Sequence, residues 1–397
     1  MALVPAPQAR ALGNAPTGTK RVFVISSFGR DFSPYSQTDS TFRTELAQRF
    51  GAPIDFLEVT LGMRGLEPDD EAAIVQYAQA VCANRPPDLV VTIGPLAGAF
   101  RQRSRNDLFP GVPTLYGAME ERWARAIALS AKDTMVSGRI DLKEVMENIL
   151  RVLPETKEVF VVIGDSPIER RWLPETRRDF ASFQSRVRVT YLAGISFDEI
   201  LRRSAALPPR SAIFFGLMLR DVAGVPYEHE SALERLHATA SAPVFGWSTV
   251  TFGRGIVGGP LMNAQTTGRE MARFGERILR GESPGSIPAM MIPFGSPVYD
   301  ARELARWRID ERRLPPGSEV RFRQASFIEQ YSGRILVVAA VLLLQALAIA
   351  TLLVSRRRRQ RAEQEAARLR SELAHVGRVT VLGQLSSSLA HELSQPL

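Results

Sequence analysis

His391 and Glu392, in the closing stretch SSSLAHELSQPL, are the pair whose types and spacing could do chemistry. An imidazole nitrogen is nucleophilic when neutral, and near neutral pH much of a histidine is neutral. Pro396 follows five residues after His391; it cannot donate to the carbonyl of Glu392, so a helix through this stretch should bend there. A zinc site of the H-E-x-x-H kind would need histidine at position 395, where Gln395 stands. The bland alternative for His391 is an exposed helix histidine.

A second set of candidates lies at the ends of short apolar runs. In the first half of the chain these are Ser26, Ser27, Gly94, Pro95, Tyr116 and Gly117; in the second they are Asp165, Ser166, Gly216, Trp247 and Ser248. In open αβ sheets, ligands bind at the carboxyl ends of the strands. Gly94-Pro95 should open a helix whose free N–H groups could hold a carboxylate, and Tyr116 and Trp247 could supply apolar walls. Ordinary turn or core packing is the competing reading for each.

Other chemistries fail on context. Gly253, Gly255 and Gly258 satisfy G-x-G-x-x-G, but no helix pattern starts there and Pro260 follows. His229 and His237 are eight residues apart, beyond the i, i+4 metal pair, and read as helix-surface residues; no metal site is expected. There is no Walker A sequence and no nucleophile elbow: the one G-x-S-x-G match, Gly281 to Gly285, follows a helical pattern and not the strand that an elbow requires. Cys82, the single cysteine, excludes an intrachain disulfide and reads as a small buried residue.

The elements that would hold these residues alternate regularly. Apolar runs at 21–28, 54–61, 88–94 and 112–119 read as strands, separated by helical patterns at 41–50, 70–83 and after Leu96. The pattern resumes with a helix at 142–153 and strands at 158–165, 187–194, 211–218 and 242–249, again with helices between them. Strands rich in β-branched and aromatic residues, alternating with helices, predict parallel sheets covered on both faces. The series is too long for one sheet, so the fold class is α/β in two similar lobes.

Ile335 to Val354 is twenty residues without a charge, long enough at about 1.5 Å per residue to cross a bilayer core. Arg356 to Arg359 and Arg361 follow it, which places the C-terminal side in the cytoplasm and everything before Ile335 outside. Beyond the arginines, Ala362, Ala366, Leu369, Leu373 and Val376 recur at spacings of four and three, a short coiled-coil seam that implies a homodimer. The seam shifts around Gly377 and Gly383; that is either a register change or a simple bend. The net charge of +8 does not argue for nucleic acid. Eight arginines against four glutamates after Val354 supply half of it, and no basic face interleaved with aromatic residues is present.

Two resemblances add to this reading. From about Lys20 to Asp300 the chain resembles a type-1 periplasmic substrate-binding protein of the branch associated with ABC transporters. The likeness rests on Thr134 to Ser166 and on GIVGGPLMNAQTTGREMARFGERILRGESPGSIP, Gly255 to Pro288. It implies two lobes joined by crossovers, with a small extracellular ligand in the cleft. It further implies that the segment 252–281 returns to the first lobe and that the strand around 290–294 returns to the second. The ending VTVLGQLSSSLAHELSQPL resembles the H-box of dimeric sensor histidine kinases. That likeness implies His391 as phosphoacceptor and Glu392 as its proton partner. ATP and Mg²⁺ would sit on a catalytic domain not included here, a response regulator would be the partner, and the chain would stop inside the histidine domain.

The expected organisation is then a signal-peptide remnant or disordered leader (1–19) and an extracytoplasmic, periplasmic sensor domain (20–313). A juxtamembrane linker (314–334), a single transmembrane helix in the inner membrane (335–354), a cytoplasmic signalling helix (355–378) and the start of a histidine domain (379–397) follow. The expected function is the sensing half of a membrane-bound histidine kinase. Two alternatives stay open: a membrane-tethered solute receptor for a transporter, and a chemoreceptor-like adaptor without phosphotransfer.

Overall fold

Val22 to Ile25 are fully buried, as a strand covered on both faces requires, and they belong to the sheet of the first lobe. The structure, a computed structural model, describes residues 18–29, 32–62, 68–323 and 327–392. The leader, Gln395 and Pro396 fall outside these. The chain forms two units, the first ending at Arg323 and the second beginning at Gln324.

In the first unit, lobe one is built from β1 (Lys20–Ser26), α1 (Tyr35–Phe50), β2 (Ile54–Thr60), α2 (Pro68–Val81), β3 (Leu89–Ile93), α3 (Pro95–Ser104), β4 (Thr114–Glu120), α4 (Glu121–Ala124) and β5 (Asp133–Gly138). Lobe two follows with α5 (Leu142–Val152), β6 (Glu158–Ile163), α6 (Pro167–Ala181), β7 (Arg188–Leu192), α7 (Phe197–Ser204), β8 (Ser211–Leu217), α8 (His229–Thr239), β9 (Val244–Phe245) and β10 (Gly258–Gly259). The chain then crosses back with α9 (Ala264–Leu279) and β11 (Met290–Ile292), and returns through β12 (Val298–Asp300), α10 (Ala301–Arg306) and β13 (Glu319–Arg321). The lobe-one sheet runs β11-β5-β4-β3-β1-β2 and the lobe-two sheet β7-β6-β8-β9, both parallel. A small third sheet runs β10-β12-β13. The two-lobed α/β expectation holds.

Three expectations are corrected. The strand around 290–294 does not return to lobe two: β11 pairs in parallel with β5, Met290 opposite Val136. The return comes at β12, which pairs antiparallel with β10. Gly258 permits that pairing, because a Cβ there would collide with the Val298 carbonyl, and its φ is +119°. Thr134 to Gly138, a stretch not read as a strand from sequence, lies in β5 of the lobe-one sheet. The folded unit also runs past Arg313, since β13 pairs with β12 and the Arg302 guanidinium lies 4.4 Å over the Phe322 ring.

The third correction is His229, which is buried in lobe two, not on a helix surface. Its ring stacks on Phe215 at 5.0 Å, and its Nδ1 accepts the Met218 N–H at 3.4 Å. Burial pushes its pKa down to about 4, so the folded protein holds it neutral. As pH falls below about 6.5 the unfolded chain takes up the proton first, and the stability contributed here is lost progressively down to about pH 4. His229→Gln keeps an acceptor for Met218 but does not titrate. It should flatten the acid limb of a Tm-against-pH curve between pH 6.5 and 4. An unchanged acid limb would show that His229 is not its source. His237 pairs instead with Glu303 at 3.0 Å, tying α8 to α10.

The second unit is one helix, α11 (Phe327–Glu392). Among the described residues it is the one helix long and apolar enough to cross a membrane. Its apolar side chains, Leu336, Leu343 and Leu352 among them, are exposed. His391 and Glu392 lie on its backbone path; their side chains are outside the described residues.

Candidate functional site

The β4–α4 junction meets α6 across the two lobes. Arg122, in the first turn of α4, places its Nε 2.7 Å from Glu120 Oε1. The same guanidinium reaches Glu175 at 3.3 Å and Asp179 at 3.2 Å on α6, so one cation is shared by carboxylates of both lobes. Arg171 of α6 returns the contact, its guanidinium 5.2 Å over the Trp123 ring. Phe28 and Phe32, which follow β1, pack into the apolar cluster of lobe two together with Trp172 and Trp247.

A cavity of about 40 Å³ lies inside this junction. Tyr35, Pro95, Glu120 and Trp123 line it from lobe one, and Trp172 and Trp247 from lobe two. Trp172 and Trp247 meet edge to face at 5.2 Å, and Trp247 Nε1 donates to the Gly216 carbonyl at 2.5 Å, which fixes its ring. Tyr35 stacks on Phe28 at 5.3 Å. Burial and the nearby Glu120 charge hold the Tyr35 hydroxyl well above the usual phenol range, so it is a neutral hydrogen-bonding group. Burial likewise raises the Glu120 carboxyl, against the pull of Arg122.

The residues expected at strand ends are distributed unevenly around this cavity. Pro95 and Trp247 line it, and Gly216 anchors Trp247. Ser27 and Gly94 serve α3: the Ala97 N–H donates to Ser27 Oγ at 2.9 Å, and Gly94 is its N-cap. Since Pro95 has no N–H and that of Ala97 is taken, the first turn of α3 offers little to a carboxylate. Tyr116 is buried in a small cluster with Met119 and Met135. Asp165 pairs with Arg170 at 3.0 Å. Ser26 faces a separate groove of about 540 Å³, where Arg43 is already paired with Asp39 and Glu58. Glu120, Trp123, Trp172 and Tyr35 were not anticipated. A signal existed for Trp172: it is the one tryptophan in the charged helix PIERRWLPETRRDFA.

Among the described residues no group of three or more His, Cys, Asp or Glu side chains could hold a metal ion. No protein-family model matches the chain, and no curated protein matches it by sequence. Solved structures do match the fold. One is an ABC domain in complex with L-Trp from Streptococcus pneumoniae, 14% identical, covering 76% of this chain and 100% of that one with a TM-score of 0.56. A conserved domain protein from Vibrio cholerae is 17% identical, covering 76% and 99%, with a TM-score of 0.55. The ligand-free, open form of CD0873, a substrate-binding protein with adhesive properties from Clostridium difficile, is 14% identical, covering 76% and 98%, with a TM-score of 0.54. The first unit therefore has a periplasmic-binding-protein-like fold, with its candidate site between the lobes.

Proposed function

We propose that the chain is the sensing half of a membrane-bound sensor histidine kinase. A small ligand enters the cleft between the lobes on the outer side of the inner membrane, and α11 carries the consequence to His391 in the cytoplasm. The observation that carries this reading is the pairing of a ligand-binding fold with one unbroken helix. α11 has 66 residues, about 100 Å at 1.5 Å each, and it joins the uncharged stretch, the arginine run and the His391 backbone. The five arginines that follow the apolar stretch support a cytoplasmic C-terminal side. Leu369 and Leu373, on the expected seam, are exposed in the single chain, as positions awaiting a second copy would be. Similar folds that hold L-Trp or act as substrate-binding proteins support a small organic ligand. Such a ligand can control the helix only if it binds two lobe arrangements with different affinity. ATP with Mg²⁺ would act from a catalytic domain outside these 397 residues, and the phosphoryl group would pass to a response regulator.

The same fold likeness favours one other reading, a membrane-tethered receptor that hands its ligand to a transporter. The two separate on one experiment. Membranes carrying the full-length protein are incubated with γ-labelled ATP. Acid-labile, alkali-stable label on the protein is the expected result; its complete absence sinks the kinase reading and leaves the receptor.

A further inference from the structure

The Glu120 carboxylate is one-tenth exposed, and only one of its oxygens is satisfied. Oε1 accepts from Arg122, while Oε2 is buried without a hydrogen-bond partner. Buried polar atoms are almost always paired, and an orphaned oxygen on a charged group is costly. Arg122 does not cancel the charge either, since Glu175 and Asp179 draw on the same guanidinium. The cavity that Glu120 lines is walled by the rings of Tyr35, Trp123, Trp172 and Trp247. Aromatic faces carry negative potential and attract cations, most strongly when water is excluded. Arg171 already occupies one face of Trp123, which leaves Tyr35 and the two lobe-two tryptophans. Among the described residues, no lysine or arginine lines the cavity.

We propose that the cleft takes an organic cation: an amine without a carboxylate, its ammonium paired with Glu120 Oε2 and its apolar body held by Tyr35, Trp172 and Trp247. This rests on the reading of the cleft as the ligand site and deepens it. The ammonium supplies the donors that Glu120 Oε2 lacks. A free amino acid would bring a carboxylate for which the cavity has no cation, and α3 has no spare first-turn donor at Pro95 or Ala97. The open volume of about 40 Å³ accommodates a group the size of methylammonium, so a ring-bearing amine requires the lobes to part. The contacts that must then yield are those of Arg122 with Glu175 and Asp179, and of Arg171 with Trp123.

The test uses the whole chain in lipid nanodiscs, with tryptophan fluorescence and calorimetry as readouts. The probes are tryptamine, phenethylamine, tetramethylammonium, L-tryptophan and indole-3-acetate. The amines should bind, and the two carboxylates should bind at least about tenfold more weakly, as expected when a charge-assisted bond is lost and a like charge faces Glu120. Glu120→Gln, which keeps the shape and the acceptor for Arg122, should weaken amine binding roughly tenfold or more; Glu120→Asp should weaken it less. Equal or tighter binding of L-tryptophan or indole-3-acetate, unaffected by Glu120→Gln but weakened by Trp172→Ala, overturns the cation and keeps the cleft as the site. Amine binding that survives both Glu120→Gln and Trp172→Ala overturns the cation and the cleft together. No response to any amine at millimolar concentration overturns the inference as well. The probe panel needs no variant, so a misfolded substitution does not rescue it.

Discussion

In the full-length protein, His391→Gln should abolish uptake of acid-labile phosphate from ATP, while His375→Gln should leave it intact. The expectation follows from the proposed function and from chemistry local to the stretch 391–396. The γ-phosphate needs an in-line nucleophile, and a neutral imidazole nitrogen provides one without prior deprotonation of a weak acid. The proton on the other ring nitrogen must then leave. The resemblance to sensor kinases assigns its acceptor to Glu392, which adjoins His391 on the helical path of α11. Adjacent helical residues point about 100° apart, so the carboxylate has to reach round the backbone. Glu392→Gln should therefore lose most of the label and keep ATP affinity, since nothing in its role touches the nucleotide. Label that persists in His391→Gln and vanishes in His375→Gln would move the phosphoacceptor to His375, the other histidine of α11.

The lobes were legible because a parallel strand buried on both faces must be apolar throughout, and runs such as VFVI at 22–25 and FVVI at 160–163 can be little else. β5 escaped notice because DTMVSG mixes polar and apolar residues. It is nonetheless fully buried, with the Thr134 hydroxyl bonded to the Ile287 carbonyl and the Ser137 hydroxyl to that of Met290. Those partners lie more than 150 residues away in sequence, so no local pattern announces them. The same holds for β11, whose MMI could belong to either sheet until α9, packed on α1, brings the chain back to lobe one.

The candidate site was half legible for a related reason. Strand-end reasoning finds positions near a cleft, but it does not distinguish a residue that faces the ligand from one that serves its own helix. Ser27 and Ser166 both serve the start of a helix: Ser27 Oγ accepts the Ala97 N–H of α3, and Ser166 Oγ accepts the Glu169 N–H of α6. Glu120 is the last residue of β4 and Trp172 lies within α6, and neither local pattern marks its residue as facing a cleft. They become a pair of cleft walls only once β4 and α6 face each other across the lobes.

Glu169→Ala should cost lobe two about 3 to 5 kcal/mol, among the larger effects a single substitution can have. Glu169 is fully buried at the start of α6. Its Oε2 accepts the Ser166 N–H at 2.6 Å and its Oε1 the Leu219 N–H at 2.6 Å, so one side chain closes the capping box and ties α6 to the segment after β8. Alanine leaves both N–H groups buried and unpaired, beside a cavity. Trp172 lies one turn along α6, so loosening this anchor should also weaken cleft binding. Burial, opposed by the bonds from Ser166 and Leu219, lifts the Glu169 carboxyl to about 7. The folded carboxyl therefore keeps its proton where the unfolded one, with an ordinary value of 4.5, has lost it. Its contribution is fully present below about pH 4.5 and is lost as pH rises through about 7, on the order of 3 kcal/mol across the window. Glu169→Gln does not titrate and should lack that slope. Denaturant titrations of wild type, Glu169→Ala and Glu169→Gln at several pH values between 4.5 and 8 test both statements. A loss below about 1 kcal/mol for Ala would mean that water or backbone shift satisfies the two N–H groups. A slope shared by wild type and Gln would mean that another group titrates.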